Sequence, residues 1–186
     1  MAVYLISEQA IKDTTILNDN VDSKLIGPAI LEAQDMHLQS YLGSNLYNKV
    51  KSLVSAGTIG SGGNSYYKGL IDNYIQPCLK YYVLADLCIP MTVKMMNKSI
   101  STRSAENSQP ISLDDIAMLS ENLMNKAEWY AQRMINYLMD NPSHFPEYPL
   151  SDGTHSNIRA KKSAYTGGMF LGMDYCDKPT YNEKNP

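Results

Sequence analysis

The stretch Ala56-Gly57-Thr58-Ile59-Gly60-Ser61-Gly62-Gly63-Asn64-Ser65 places four glycines within seven residues, ahead of an apolar run. Glycine at such density lets backbone N–H groups close around a phosphate. A phosphate-gripping loop of the Walker kind also needs Lys and Ser/Thr directly after its last glycine. Gly57 and Gly62 have the right separation, but Gly63 and Asn64 stand at those two positions. A dinucleotide cradle needs a preceding strand, whereas Leu46-Tyr47-Asn48-Lys49-Val50-Lys51-Ser52-Leu53-Val54-Ser55 has a helical pattern. The loop is expected to be a link between two helices.

The remaining reactive residues are scattered. His37 falls on the inner stripe of a helix with Asp35 pointing elsewhere, which suits a hydrogen-bonded core histidine better than a ligand. His144 and His155 have no partner at metal spacing. Cys78, Cys88 and Cys176 make an odd set. On one helix the first two lie about 15 Å apart, too far for a disulfide, so reduced core thiols are expected. No HExxH or GxSxG pattern occurs. Arg159, Lys161 and Lys162 form the one basic cluster, enough for weak, salt-sensitive phosphate contact, and a solvated loop is the simpler expectation. These residues name no catalytic group, cofactor or metal ligand, although missing motifs leave open a site assembled from distant residues.

The elements that hold these residues are legible from periodicity. Ser7 caps a short helix reaching about Asp13. Ile26, Ile30, Ala33, His37 and Tyr41 keep helical spacing from Asp22 to a stop at Gly43, with Pro28 near the start as N1 or as a kink. Leu46, Val50, Leu53 and Val54 form a shorter helix ending at Gly57. From Tyr67 to Ile89 apolar residues hold i, i+3, i+4 steps for about six turns. Pro77 and Pro90 are expected to bend or break that helix, whose sparse polar face places it centrally. Its Tyr74, Tyr81 and Tyr82 are expected in the core. Ser99–Pro110 is polar and loop-like. Ser112 caps a last long helix, with Asp114 and Asp115 in its first turn, which ends before Pro142.

Beyond that point the pattern changes. Five of the nine prolines lie in the last 45 residues, and no helical period survives. The run Tyr165-Thr166-Gly167-Gly168-Met169-Phe170-Leu171-Gly172-Met173-Asp174-Tyr175 is apolar and glycine-punctuated, too short to form a core alone. It can add as a strand or hook to its own domain or to a neighbour's. The expected fold is therefore all-α: a bundle of about four main helices over 1–141, followed by an extended arm over 142–186.

At 186 residues the chain suits one domain. Its formal charge of −3 supplies no field that would draw it to DNA or anionic lipid. Tyrosine outnumbers phenylalanine 14 to 2, a bias suited to surfaces covered on assembly as well as to core edges. Met1-Ala2-Val3-Tyr4 lacks a basic lead, so no signal peptide is expected. Cys78–Met91, broken by Lys80 and Asp86, is too short to span a bilayer.

The segments Leu25-Ile26-Gly27-Pro28-Ala29-Ile30, Ala33-Gln34, Leu42-Gly43-Ser44-Asn45-Leu46-Tyr47 and Tyr74-Ile75-Gln76-Pro77-Cys78-Leu79-Lys80-Tyr81-Tyr82 resemble head–tail connector (adaptor) proteins of tailed phages. The likeness is to those of Bacteroidetes phages, including the crAss-like group. It covers roughly residues 3–141, with a looser echo in Phe145-Pro146-Glu147-Tyr148 and the glycine-aromatic end.

The resemblance implies a structural virion protein with no catalytic residue, not an enzyme, assembled in the host cytoplasm into a dodecameric ring at the head–tail junction. Its partners would be the portal protein above and a further connector ring or tail protein below. Genomic DNA would pass transiently through the channel, and no membrane is involved. Tyr165, Met169, Phe170, Leu171 and Tyr175 are then the candidate intersubunit or portal contacts. The alternative is a nucleic-acid-binding packaging accessory using Arg159, Lys161 and Lys162. A small enzyme would need a deep pocket holding His37 and two carboxylates.

Overall fold

The computed structural model describes residues 2–96, 99–102, 112–148 and 158–165. Its helices form the all-α bundle expected from the periodicity. Ser7 caps α1 (Glu8–Thr14), its hydroxyl accepting from the Ala10 N–H. The Asp22 carboxylate accepts from Lys24 N–H and opens α2 (Ser23–Ala33), which holds Pro28 inside it rather than at its first position. One π turn (Gln34–Leu38) then leads into α3 (Gln39–Ser55). The expected stop at Gly43 is a break within α3: φ 73°, ψ 159° interrupts the helix there, and it resumes at once.

The second rod repeats the plan. α4 (Ser65–Leu70) passes through a π turn (Ile71–Ile75) into α5 (Gln76–Thr92). Pro77 falls in the first turn of α5, directly after the widened turn. A proline ring clashes with the carbonyl four residues back in a regular helix. The extra residue of a π turn displaces that carbonyl, so the rod continues through Pro77. Pro90 sits in the last turn, and the chain then leaves in extended conformation at Val93.

A hairpin follows, β1 (Val93–Met96) against β2 (Ser99–Thr102), antiparallel with Val93 opposite Thr102 and Met96 opposite Ser99. This corrects the expected loop, whose first four residues form β2; residues 103–110 lie outside the described part. Ser112 then caps α6 (Leu113–Asp140), accepting from the Asp115 N–H.

α5 is the central helix. Cys78, Leu79, Tyr82, Val83, Leu84, Ala85 and Leu87 are all buried, too many for one stripe, and both α6 and α2 pack on it. α6 supplies Leu123, Ala127, Ala131, Met134, Ile135 and Leu138 from one face. The core continues past the expected boundary at 141/142. Phe145 is fully buried with its ring edge-on to Tyr67 and against Tyr137, and Ala164 joins the same cluster. Among the described residues, the core thus takes in Phe145 and Ala164 beyond Asn141.

Candidate functional site

The glycine loop is a helix terminator. Gly57 has φ 68°, its N–H donates to Val54 O, and the Thr58 N–H donates to Leu53 O. These two bonds make the Schellman closure that satisfies the last carbonyls of a helix. Ser61 N–H then donates to Thr58 O, Asn64 N–H to Ser61 O, and the Asn64 amide to Thr58 O. The N–H groups of Gly57, Thr58, Ser61 and Asn64 are thus spent within the turn instead of pointing at a common centre.

His37 projects from the first π turn, half-buried, and its ring stacks on Tyr82 at 4.1 Å and 6°. Its Nε2 lies 3.6 Å from Asp86 Oδ2, an enclosed oxygen that takes no hydrogen bond. Asp35 does point elsewhere, accepting from the Tyr47 hydroxyl at 2.6 Å with Lys51 nearby. Behind His37 the hydroxyls of Tyr41 and Tyr82 meet at 2.7 Å in the core. Of the expected core stripe only Tyr82 is buried. Tyr74 and Tyr81 are half-buried, stacked on Tyr137 and Tyr130 across the α5–α6 seam. Arg133 lies over the Tyr74 ring and Lys80 over the Tyr81 ring.

Burial pushes the Tyr82 phenol well above its ordinary range, with its bond to Tyr41 adding to the shift. Burial, then the Asp35 partner, does the same for Tyr47; burial, then Glu147, raises Tyr67. Burial alone raises the free thiol of Cys78. These groups hold their protons when folded and release them when unfolded, so stability falls as pH rises through the unfolded-state values. Urea midpoints are expected to drop from about pH 9, where Cys78 begins to act, and more steeply above about pH 10, where the tyrosines join. A midpoint unchanged between pH 8 and 10.5 would contradict this.

The most built feature lies where α3 breaks. Residues 158–165 run back over the helices as a strap. The Ser44 N–H donates to Ile158 O at 2.9 Å, the Ile158 N–H donates to Ser44 Oγ at 3.1 Å, and the Lys161 N–H donates to Ser40 O at 2.9 Å. Further on, the Ala164 N–H donates to Gln132 Oε1. In an unbroken helix Ser44 N–H would bond to Ser40 O. The break orphans both groups, and the strap supplies a partner to each.

Beside the strap lies a groove of about 570 Å³, lined among others by Asn45, Met139, Glu147, Tyr148, Arg159 and Lys162. His37 lines neither this groove nor the smaller one of about 140 Å³ beside Asp72 and Lys80. Among the described residues no group of three or more His, Cys, Asp or Glu side chains can hold a metal ion. Within the same residues, no helix is long and apolar enough to cross a membrane.

The expected site residues divide as follows. Arg159, Lys161 and Lys162 are all exposed on the strap, with Lys161 over the Tyr41 ring at 5.6 Å and the other two beside Glu147 in the groove. Tyr165 is half-exposed. Met169, Phe170, Leu171, Tyr175 and His155 lie outside the described residues. Residues 158–165 dock on the chain's own helices, and of the run 165–175, expected on its own domain or on a neighbour's, all but Tyr165 lies outside the described residues.

Several positions escaped the sequence reading. Gln34 is fully buried; its side chain accepts from the Leu5 N–H and donates to Val3 O, while Gln76 donates to Leu5 O. Two amides thereby clamp the extended N-terminal segment. A glutamine within the apolar Ile26–Tyr41 stripe was the available signal. The outer face of α6 was also missed. Trp129, the sole tryptophan, is 54% exposed, and Met118 is 73% exposed. They lie eleven residues apart, close to three whole turns, and so share one face.

A family profile described as "Family of unknown function (DUF6712)" matches residues 38–158, well over half of the chain. No curated protein and no solved structure matches it.

Proposed function

The chain belongs to the DUF6712 family, whose function is unknown; we propose that it is a structural protein that assembles as a ring between portal and tail in a phage particle. The observation carrying this reading is the exposed Trp129–Met118 face of the longest helix. Large exposed apolar side chains on a rigid element, tryptophan above all, characterise the centres of protein interfaces. The sequence likeness to head–tail connectors supports the same reading, and so does the modest charge, because a channel wall rich in cations would hold the genome instead of passing it. A ring is a heterologous interface closed about an axis, and a stiff helical bundle suits it by fixing the angle between copies.

Native mass measurement of the purified chain, alone and mixed with a portal protein, tests the proposal. A ring of defined copy number in either sample is the expected result. A chain that stays monomeric with portal and tail components alike would overturn it.

A further inference from the structure

We propose that residues 158–165 act as a releasable latch on the break in α3, closing and opening without unfolding of the bundle. The inference stands on the geometry of the break and does not depend on ring formation.

Three features make the latch. The first is the receptor. At Gly43 the helix presents an unsatisfied donor, Ser44 N–H, and an unsatisfied acceptor, Ser40 O, with the buried Ser44 hydroxyl between α3 and the strap. The Ser44 Oγ also accepts from the Gln39 side chain, so it is held in place when the strap is docked. These groups form a short backbone edge within an otherwise helical rod.

The second feature is the fit. The strap passes so close that a Cβ on Gly43 would lie 3.1 Å from Ala160 N and 3.4 Å from Ala160 Cβ. Glycine at 43 and alanine at 160 are the pair that lets the two backbones meet. The third is the shallow attachment. Of the strap's eight residues only Ala164 is buried, while Ile158, Arg159, Lys161, Lys162, Ser163 and Tyr165 are exposed.

Hydrogen bonds therefore hold most of the strap, two between backbones and two to the Ser44 and Gln132 side chains, with Ala164 its one residue in the core. Elements held this way open locally at far lower free energy than the core. Opening removes Ile158, Arg159, Ala160 and Lys162 from the wall of the groove, so the groove exists only in the latched form. The unlatched form presents the Ser40–Ser44 edge to solvent instead.

Amide hydrogen exchange on the full chain tests this, in the wild type, in Ser44→Ala and in Ala160→Leu. In the wild type the Ser44, Ile158 and Lys161 amides should exchange together, at least tenfold faster than Leu79 and Val83 in α5. Ser44→Ala removes the acceptor of the Ile158 N–H and should speed strap exchange about fivefold, the equivalent of one net hydrogen bond, with α5 unchanged. Ala160→Leu should speed it further, with trypsin then cleaving after Arg159, Lys161 and Lys162. Strap and α5 amides exchanging in step in all three proteins would overturn the latch. A strap without any protection would overturn it too, since the closed state would then be unpopulated.

Discussion

Replacing Phe145 by alanine is expected to lower the free energy of unfolding by about 3–5 kcal/mol, the range for emptying a fully buried aromatic site. The ring has no exposed surface and touches Tyr67 edge-on at 5.5 Å, Tyr137 at 5.8 Å and His144 at 6.4 Å. His144 is in turn stacked on Tyr66 at 3.8 Å, and the Tyr67 hydroxyl donates to Glu147. One side chain after the last helix thus pins the start of the second rod to the end of α6. A chain ending at Asn141 should be destabilised at least as much, because it also loses Glu147 and the strap. Urea unfolding of Phe145→Ala measures the effect, and a loss under 1 kcal/mol would show that the core does not need this segment.

Gly43→Ala is expected to cost about 3 kcal/mol. Gly43 stands at φ 73°, ψ 159°, a region open essentially to glycine alone, and forcing an L-residue into it accounts for about 1–3 kcal/mol. The rest comes from the strap, whose Ala160 would have to retreat from the new methyl group, losing backbone bonds worth about 1 kcal/mol each. Gly57→Ala supplies the comparison. Its φ of 68° is almost the same, but nothing lies within 4 Å of where its Cβ would stand. It should therefore show the cost of a positive φ with no strap to displace, a lower bound on the backbone cost at Gly43, whose ψ of 159° lies outside the αL region. Equal losses in the two variants, measured by urea titration, would mean that the strap contributes nothing at the break.

The helices and their caps were legible because their causes are local. Ser7 and Ser112 each face an N–H three residues on, and the apolar steps of α5 and α6 follow from a single period. Gly43 was legible as a stop and Leu46–Val54 as the next helix, but nothing near it in sequence said that the two would join across the break without a loop. That outcome depends on Ile158 and Lys161, more than a hundred residues away, which satisfy the broken turn. The π turns were hidden for a similar reason, since one extra residue in a turn leaves the apolar stripe almost intact. The clamp by Gln34 and Gln76 needs the backbone of Val3 and Leu5, about thirty and seventy residues away in sequence. The tail misled by composition, because its prolines and glycines concealed a buried Phe145 and a docked 158–165. The exposed Trp129 face could not be told from a core face by periodicity alone.

Because the chain has a single indole, and that indole stands on the outside of α6 at 4.9 Å from the Tyr130 ring in edge-on geometry, the protein carries its own optical probe. Its emission should be red-edged while water reaches the ring, and should move to shorter wavelength when another surface closes over it. Anything that covers this flank can thus be titrated by fluorescence, without a label and without altering a residue.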